Sequence, residues 1–261
     1  ARLRWLEETR PQVLRPGRIY AGAGDYLVFH LTGRWRQDAG NALQEGCYNV
    51  GRRRLDERPL RLVGRDLSQV APLRVGHEYG ALCGRAAGML GLSEAVRVYG
   101  PYMDHEAGYL AATAGKPRGT MHMSLGTAWV ANFVLPATAK WTSPFQLVLP
   151  SPFDQDSGWL VVQPLLTGNV TWDWALATFG DADQRRALAM AAEAFAAGLL
   201  PGGALMCVPW LNVSNPLWPP ALGAGTFFGM APTTARLDLL RAVAAGMVHE
   251  SARVLADVRE G

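Results

Sequence analysis

Hydrophobic residues recur along this chain in two rhythms. Near the start, "RLRWLEE" sets Leu3 and Leu6 at helical spacing, and Pro11 stops the run. "DYLVFHLTG" is an apolar helical stretch that Asp25 can cap and Gly33 can close. "HEYGALCGRAAGMLGL" is rich in small residues and helical in period, and "DHEAGYLAATAG" predicts a short helix with Asp104 at its start. The texture then changes. "GTMHMSLGTAWVANFVL" reads as two strands joined at Gly126-Thr127, and "SGWLVVQPLL" as another strand. "TWDWALATFG" and "ADQRRALAMAAEAFAAGLLPG" predict helices, the second stopped by Pro201 and Gly202. "GALMCVPWL" is a buried strand, and a Pro- and Gly-dense loop, "NVSNPLWPPALGAG", leads to a last long helix. Strands alternating with helices predict an α/β architecture. The stretch Lys116-Pro117-Arg118-Gly119 is the best candidate for a domain boundary.

Composition narrows the class. With 261 residues, 49% of them hydrophobic, the chain can bury a core of one or two domains. A net charge of +3, with basic residues interleaved with acids, offers no long nucleic-acid-binding face. Arg52, Arg53 and Arg54 are followed at once by Asp56 and Glu57 and read as a solvated loop. Cys47, Cys83 and Cys207 are widely separated, which reads as free thiols of a reducing compartment. The five histidines show no zinc-type spacing. No signal peptide opens the chain and no apolar run is long enough to span a bilayer, so the expectation is a soluble cytoplasmic protein. The chain begins inside a helical pattern without a cap and closes on a helix with nothing after it to pack on, which predicts that both ends are cut.

Several side chains read as packing or turn residues. Trp5, Trp172 and Trp174 are expected packing anchors, while Trp129 suits packing or a ligand platform. Asp38 and Asn41 are expected to order a turn, and His77 and Glu78 to cap a helix. Met121 and Met123 are expected in the core and His249 on the surface.

The stretch from Tyr99 to Val130 carries candidate chemistry. A carboxylate at a helix N-terminus feels the positive end of the dipole and stays ionised, ready to accept a proton from an alcohol. Phosphoryl transfer to a hydroxyl needs such a base and something to hold the phosphates. A Gly-Thr turn between strands can present backbone N–H groups and a hydroxyl to phosphate oxygens. Each feature also has a plain structural reading, as a cap and as a hairpin turn.

The order of segments resembles an FGGY-type carbohydrate kinase, of the sugar-kinase branch of the actin-like ATPase superfamily. "RLRWLEE" resembles the tail of the family's first signature, and "AGDYLVFHLTGRWRQDAGNAL" its Asp-Tyr-Leu … Leu-Thr-Gly segment. "VYGPYMDHEAGYLAATAG" resembles its Gly-x-x-Asp motif, with one extra residue between Gly100 and Asp104. "SLGTAWV" resembles Ser-Leu-Gly-Thr-Ser, with Ala128 for the last Ser. "GTFFGMAPTTARLDLLRAV" follows the second signature, with Ala244 and Ala245 where an apolar residue and an acid are usual. The fold this implies is a two-domain α/β sugar kinase of the actin-like, ribonuclease H-like type, incomplete at both ends. Residues 1–116 would be the C-terminal part of the sugar-binding first domain, and 117–261 the N-terminal part of the ATP-binding second domain.

The resemblance implies roles. Asp104 would be the general base in an interdomain cleft and would touch the substrate with His105. Gly126 and Thr127 would bind ATP phosphates, with Gly168 and Asn169 near the nucleotide. The implied activity is ATP-dependent phosphorylation of a sugar or polyol, with a pentulose such as xylulose as the default. The partners would be that substrate and ATP, with a homodimer in keeping with the family's habit. The family's Asp-x-Gly-Thr strand pair and Gly-Gly adenine segment have no counterpart here, so most of the ATP and Mg²⁺ site is expected outside this chain, and no metal ligand is assigned. The 261-residue chain alone is therefore expected not to phosphorylate sugars. "WLNVSNPLW", which lacks the family's Gly-Glu-Arg at Ser214 and Asn215, and Ala245 suit the alternative, a non-catalytic sugar-binding or regulatory relative.

Overall fold

The structure, a computed structural model, describes residues 2–74, 76–113, 120–139, 147–152, 158–165, 167–181, 183–196, 198, 203–211 and 225–259. The candidate boundary at 116–119, the stop at Pro201 and Gly202, and Ser214 and Asn215 lie outside the described residues. The chain forms two compact units: Ala1–Thr120, Phe133–Thr138 and Val148–Val161 make the first, and Met121–Asn132, Ala139–Leu147 and Val162–Gly261 the second.

The first unit begins with α1 (Arg2–Thr9) and α2 (Ala23–Thr32). Asp25 is not the N-cap of α2. Gly22 takes that place, the helix starts at Ala23, and the Asp25 carboxylate reaches back to accept the Gly22 N–H at 2.9 Å. Gly33 closes α2 in the left-handed conformation, φ 72°, with its N–H on the Phe29 carbonyl. Where a turn was expected, α3 (Ala39–Glu45) forms, because Asp38 caps it by accepting the Asn41 N–H at 2.6 Å. There follow β1 (Tyr48–Asn49) with β2 (Arg54–Leu55), α4 (Arg58–Arg61), β3 (Glu78–Ala81), α5 (Gly84–Leu90), β4 (Arg97–Tyr99) and α6 (Asp104–Ala112).

The helix expected from His77 onward splits. Residues Glu78–Ala81 pair antiparallel with β4 around a bulge, and Gly80 has φ 133°, outside any helical region. Small residues at helical spacing hid this strand; only its pairing with β4, whose short polar sequence carries no period of its own, reveals it. Glu78 is therefore no helix cap but pairs with Arg97 across the two strands. Ala42, Cys47, Tyr48, Leu60 and Val70 form one core cluster, and Leu82, Ala86 and Ala87 another, against Leu31 and Val98.

The strand-rich stretch gives β5 (His122–Leu125), β6 (Trp129–Pro136), β7 (Leu147–Pro150) and β8 (Gly158–Pro164), in the sheet order β5-β6-β8-β7. The turn between β5 and β6 falls at Gly126-Thr127 as the pattern predicts, with Leu125 opposite Trp129. Every residue of β8 from Gly158 to Gln163 is buried, so this strand is covered on both faces. Met123 packs against Ala131, but Met121 precedes β5 and is exposed, as is Trp5, contrary to their expected burial.

In the second unit come α7 (Asn169–Phe179), α8 (Gln184–Ala196), β9 (Met206–Val208), β10 (Thr226–Phe228) and α9 (Arg236–Arg259), with β9 and β10 antiparallel. Their core joins Ala175, Ala187, Leu205, Cys207, Leu240, Val243 and Met247, with Trp172 packed against it. Small residues let α9 approach β9 closely: a Cβ on Gly246 would lie 2.3 Å from the Cys207 carbonyl oxygen. Among the described residues no helix is long and apolar enough to cross a membrane.

This packing yields a paired prediction. Gly246→Ala is expected to destabilise the second unit by about 1–3 kcal/mol through overpacking. Gly88→Ala, on an exposed face of α5 with nothing within 4 Å of its Cβ, is expected to stabilise slightly. Urea denaturation of both variants checks this, and an unchanged midpoint for Gly246→Ala would contradict the close approach.

Candidate active site

Asp104 is the first residue of α6, and Met103 holds the N-cap position. The capping reading of Asp104 thus gives way: among the described residues its carboxylate accepts only the neighbouring His105 N–H, at 2.9 Å. The helix is seated by the stripe Met103, Glu106, Tyr109 and Thr113, all buried. Tyr109 is fully buried and donates its hydroxyl to the Thr120 carbonyl at 3.2 Å. Asp104 lies off this stripe and is exposed, while His105 is half-buried. The approach to α6 is pinned as well. His77 Nδ1 lies 2.8 Å from the Tyr102 hydroxyl, and the Tyr79 hydroxyl donates to the Pro101 carbonyl at 3.2 Å. His77 is therefore a tether for the segment entering α6 rather than a helix cap.

Beneath α6 is a buried polar network that sequence reasoning missed. Asp38 and Glu106 are 2% and 5% exposed, and an oxygen of each would lie 3.4 Å from a Cβ on Gly40, so the two acids are buried over the same glycine. Burial and the Asp38 charge push the Glu106 carboxyl up to about 8, and burial raises Asp38 too, against the nearby Arg74 charge. The Arg74 guanidinium lies 5.3 Å from the Tyr79 ring and 5.2 Å from the Tyr102 ring. Asp25, fully buried, accepts the Asn41 side-chain amide at 3.1 Å and is pushed by burial to about 6. Glu106 could have been found in the sequence: it shares the helical stripe of Met103 and Tyr109, which marks it as an acid on a buried face. Arg74 carries no such signal.

In the second unit the sequence-predicted phosphate residues Gly126, Thr127, Gly168 and Asn169 come together. Gly126, Thr127 and Ala128 form the exposed turn of the β5–β6 hairpin, and among the described residues their N–H groups donate to no backbone carbonyl. Gly168 is the N-cap of α7, and a Cβ there would lie 2.2 Å from the Thr127 carbonyl oxygen. Close approach of two backbones, not an unusual φ, demands glycine at this position. Asn169 stitches the pieces together: its N–H donates to the Gly126 carbonyl at 3.2 Å, its amide donates to Leu125 at 3.2 Å, and its Oδ1 accepts the Trp129 indole N–H at 3.1 Å. Both ends of the Asn169 amide and the Trp129 N–H are thereby engaged within the protein. Turn N–H groups beside the positive end of an 11-residue helix suit an oxyanion such as phosphate. The turn beside Gly168 thus has the chemistry of an anion cradle, whereas among the described residues no group of three or more His, Cys, Asp and Glu is placed to hold a metal ion. Burial pushes the Cys47 thiol to about 12 and the Cys207 thiol to about 11, so neither is a nucleophile at neutral pH.

Residues 1–111 match the FGGY family of carbohydrate kinases, N-terminal domain. The whole chain is similar in fold to solved sugar-kinase structures. A xylulose kinase from Rhodospirillum rubrum is 25% identical, with a TM-score of 0.83 over 98% of this chain and 52% of that one. A gluconate kinase from Lactobacillus acidophilus is 21% identical (TM-score 0.76, covering 97% and 51%). A Plasmodium falciparum glycerol kinase with ADP is 16% identical (TM-score 0.79, covering 98% and 52%). No curated protein sequence matches. The chain spans about half the length of the solved structures it matches. The fold is that of the two-domain sugar kinases of the actin-like ATPase superfamily.

The buried acids give a stability prediction. Asp25, Glu45 and Glu106 are raised to about 6, 7 and 8, each by burial first. The folded state therefore binds more protons than the unfolded chain, so stability falls as pH rises from the ordinary carboxylate range toward 8. Thermal unfolding between pH 5 and 8.5 is expected to show a declining Tm, and Glu106→Gln to remove the upper part of that decline. A Tm that rises across this range would contradict the protonated acids.

Proposed function

Because residues 1–111 match the N-terminal domain of the FGGY family of carbohydrate kinases and the fold is that of solved sugar kinases, we propose that the protein transfers a phosphoryl group from ATP to a hydroxyl of a sugar or polyol. The observation that carries this reading is Asp104: an exposed carboxylate at the start of a helix whose buried face is pinned throughout. Asp104 takes the proton of the attacking hydroxyl, with His105 beside it to contact the substrate. Such transfer is driven by positioning and electrostatics more than by covalent chemistry, so a fixed base is what the protein must supply.

ATP, when bound, supplies the transferred phosphoryl group. Gly126 and Thr127 offer turn N–H groups and a hydroxyl to its phosphates, Gly168 keeps their approach clear, and Asn169 holds the turn in shape. In this reading residues 1–116 belong to the sugar-binding domain and 117–261 to the ATP-binding domain. A pentulose such as xylulose is the favoured substrate, since the similar solved structures include xylulose kinases.

In the full-length protein, Asp104→Asn is expected to lower kcat roughly 10²–10⁴-fold, as loss of a general base does. Unchanged turnover would remove Asp104 from the base role. Gly168→Ala is expected to weaken nucleotide binding by at least about tenfold, because its Cβ displaces the Thr127 backbone. Titration with a fluorescent ATP analogue measures it, and wild-type affinity would argue against the turn as phosphate site.

A further inference from the structure

The helix carrying Asp104 rests on the first turn of α3, and the contact is unusual in its chemistry. Asp38 Oδ2 and Glu106 Oε2 are buried and receive no hydrogen bond from any donor the structure describes. The two carboxyl groups nonetheless crowd the same spot: Asp38 Oδ1 and Glu106 Oε2 each come within 3.4 Å of where a Cβ on Gly40 would stand. Two carboxylates are acceptors only, so the contact holds when one of them keeps a proton. Asp38 is the better anion, because it accepts the Asn41 N–H at 2.6 Å at the positive end of α3. Glu106 is then the proton carrier.

Gly40 closes the same contact. A Cβ on it would lie 3.3 Å from Met103 Cβ and 3.4 Å from both Asp38 Oδ1 and Glu106 Oε2. The N-cap of α6 therefore sits directly on α3, with no side chain between. Glu106 follows Asp104 by two residues, which on a helix puts them on opposite faces about 3 Å apart along the axis. Any shift of Glu106 is transmitted to Asp104 through a single turn of backbone.

We propose that Asp38 and Glu106 are positioning residues, an acid pair sharing one proton that fixes the first turn of α6 and so the placement of Asp104. This rests on the reading of Asp104 as the base. The charged and titratable groups facing the pair are Arg74, from the segment after Leu73; Tyr79 of β3; Tyr102, ahead of α6; and Asp25 of α2, through Asn41. His77 feels Arg74 and adds a second group near the entry to α6. Of these, Arg74 favours ionisation of the pair, whereas the acids and burial oppose it. When the shared proton leaves, two buried like charges repel and the turn loosens.

The test is steady-state kinetics of the full-length protein with xylulose and ATP as a function of pH, with thermal unfolding of every variant. Wild type is expected to lose kcat as pH rises through about 8, where Glu106 gives up its proton. Glu106→Gln keeps a donor toward an ionised Asp38, and is expected to hold kcat within about threefold at pH 7 and to abolish the alkaline decline. Glu106→Leu keeps volume but no hydrogen bond, and is expected to lower kcat about 10²-fold by misplacing the base, with KM for ATP unchanged. Wild-type kcat and pH profile in both Glu106 variants, alongside an inactive Asp104→Asn, would overturn the positioning role and leave the base intact. An active Asp104→Asn would instead overturn the base. Should Glu106→Leu fail to fold, the pH profile of Glu106→Gln decides alone.

Discussion

Two carboxylates buried side by side repel unless a proton or a counter-charge intervenes, and the first unit carries that constraint where Asp38 and Glu106 are buried over Gly40. The pair is the last link of a polar thread through three helices. Asp25 closes the start of α2 on Gly22 and reaches Asn41 of α3; Asp38 caps α3 and reaches Glu106 of α6. Each acid satisfies the orphan N–H groups of its own helix or binds the next helix, so the three N-termini are held by one network. Its burial makes it costly to break and sensitive to ionisation. Asp104 is the exposed end of this thread, and that exposure suits the proposed base, which must meet a hydroxyl arriving from solvent.

The second unit reaches its candidate site by different means. No buried charge is used. The turn at Gly126 and Thr127, the N-cap Gly168 and the amide of Asn169 form a surface made of backbone. A backbone surface fits phosphates because N–H groups are fixed in direction and need no counter-charge. Side-chain bulk is the main threat to it, which is why glycine stands where two backbones come within contact distance.

The sequence made long elements legible and short ones not. Apolar residues at helical spacing mark α1, α2, α7, α8 and α9, and the turn at Gly126-Thr127 marks the hairpin of β5 and β6. Strands β1, β2, β4, β7 and β10 are only two to four residues long, too short for a period to show. The candidate site divides in the same way. Asp104, Gly126 and Thr127 stood out because each lies in a local motif, an acid before a helix or a glycine turn between strands, whereas Gly168 and Asn169 were picked out only through the family resemblance. Asp25 was legible as a helix-end residue and Asp38 only as a turn residue, and neither as part of a network, since their partners lie far along the chain.

What the sequence alone determined is the class of fold, the residues that carry local chemistry and the family they resemble, because these depend on neighbours within a turn or two. Only the tertiary structure decided that Asp104 stands at the first helical position rather than the cap, that Glu78 begins a strand, and that Glu106 meets Asp38. Those outcomes turn on which groups are buried together. Burial of a carboxyl beside a residue 68 positions earlier changes its charge state, and no local pattern records that.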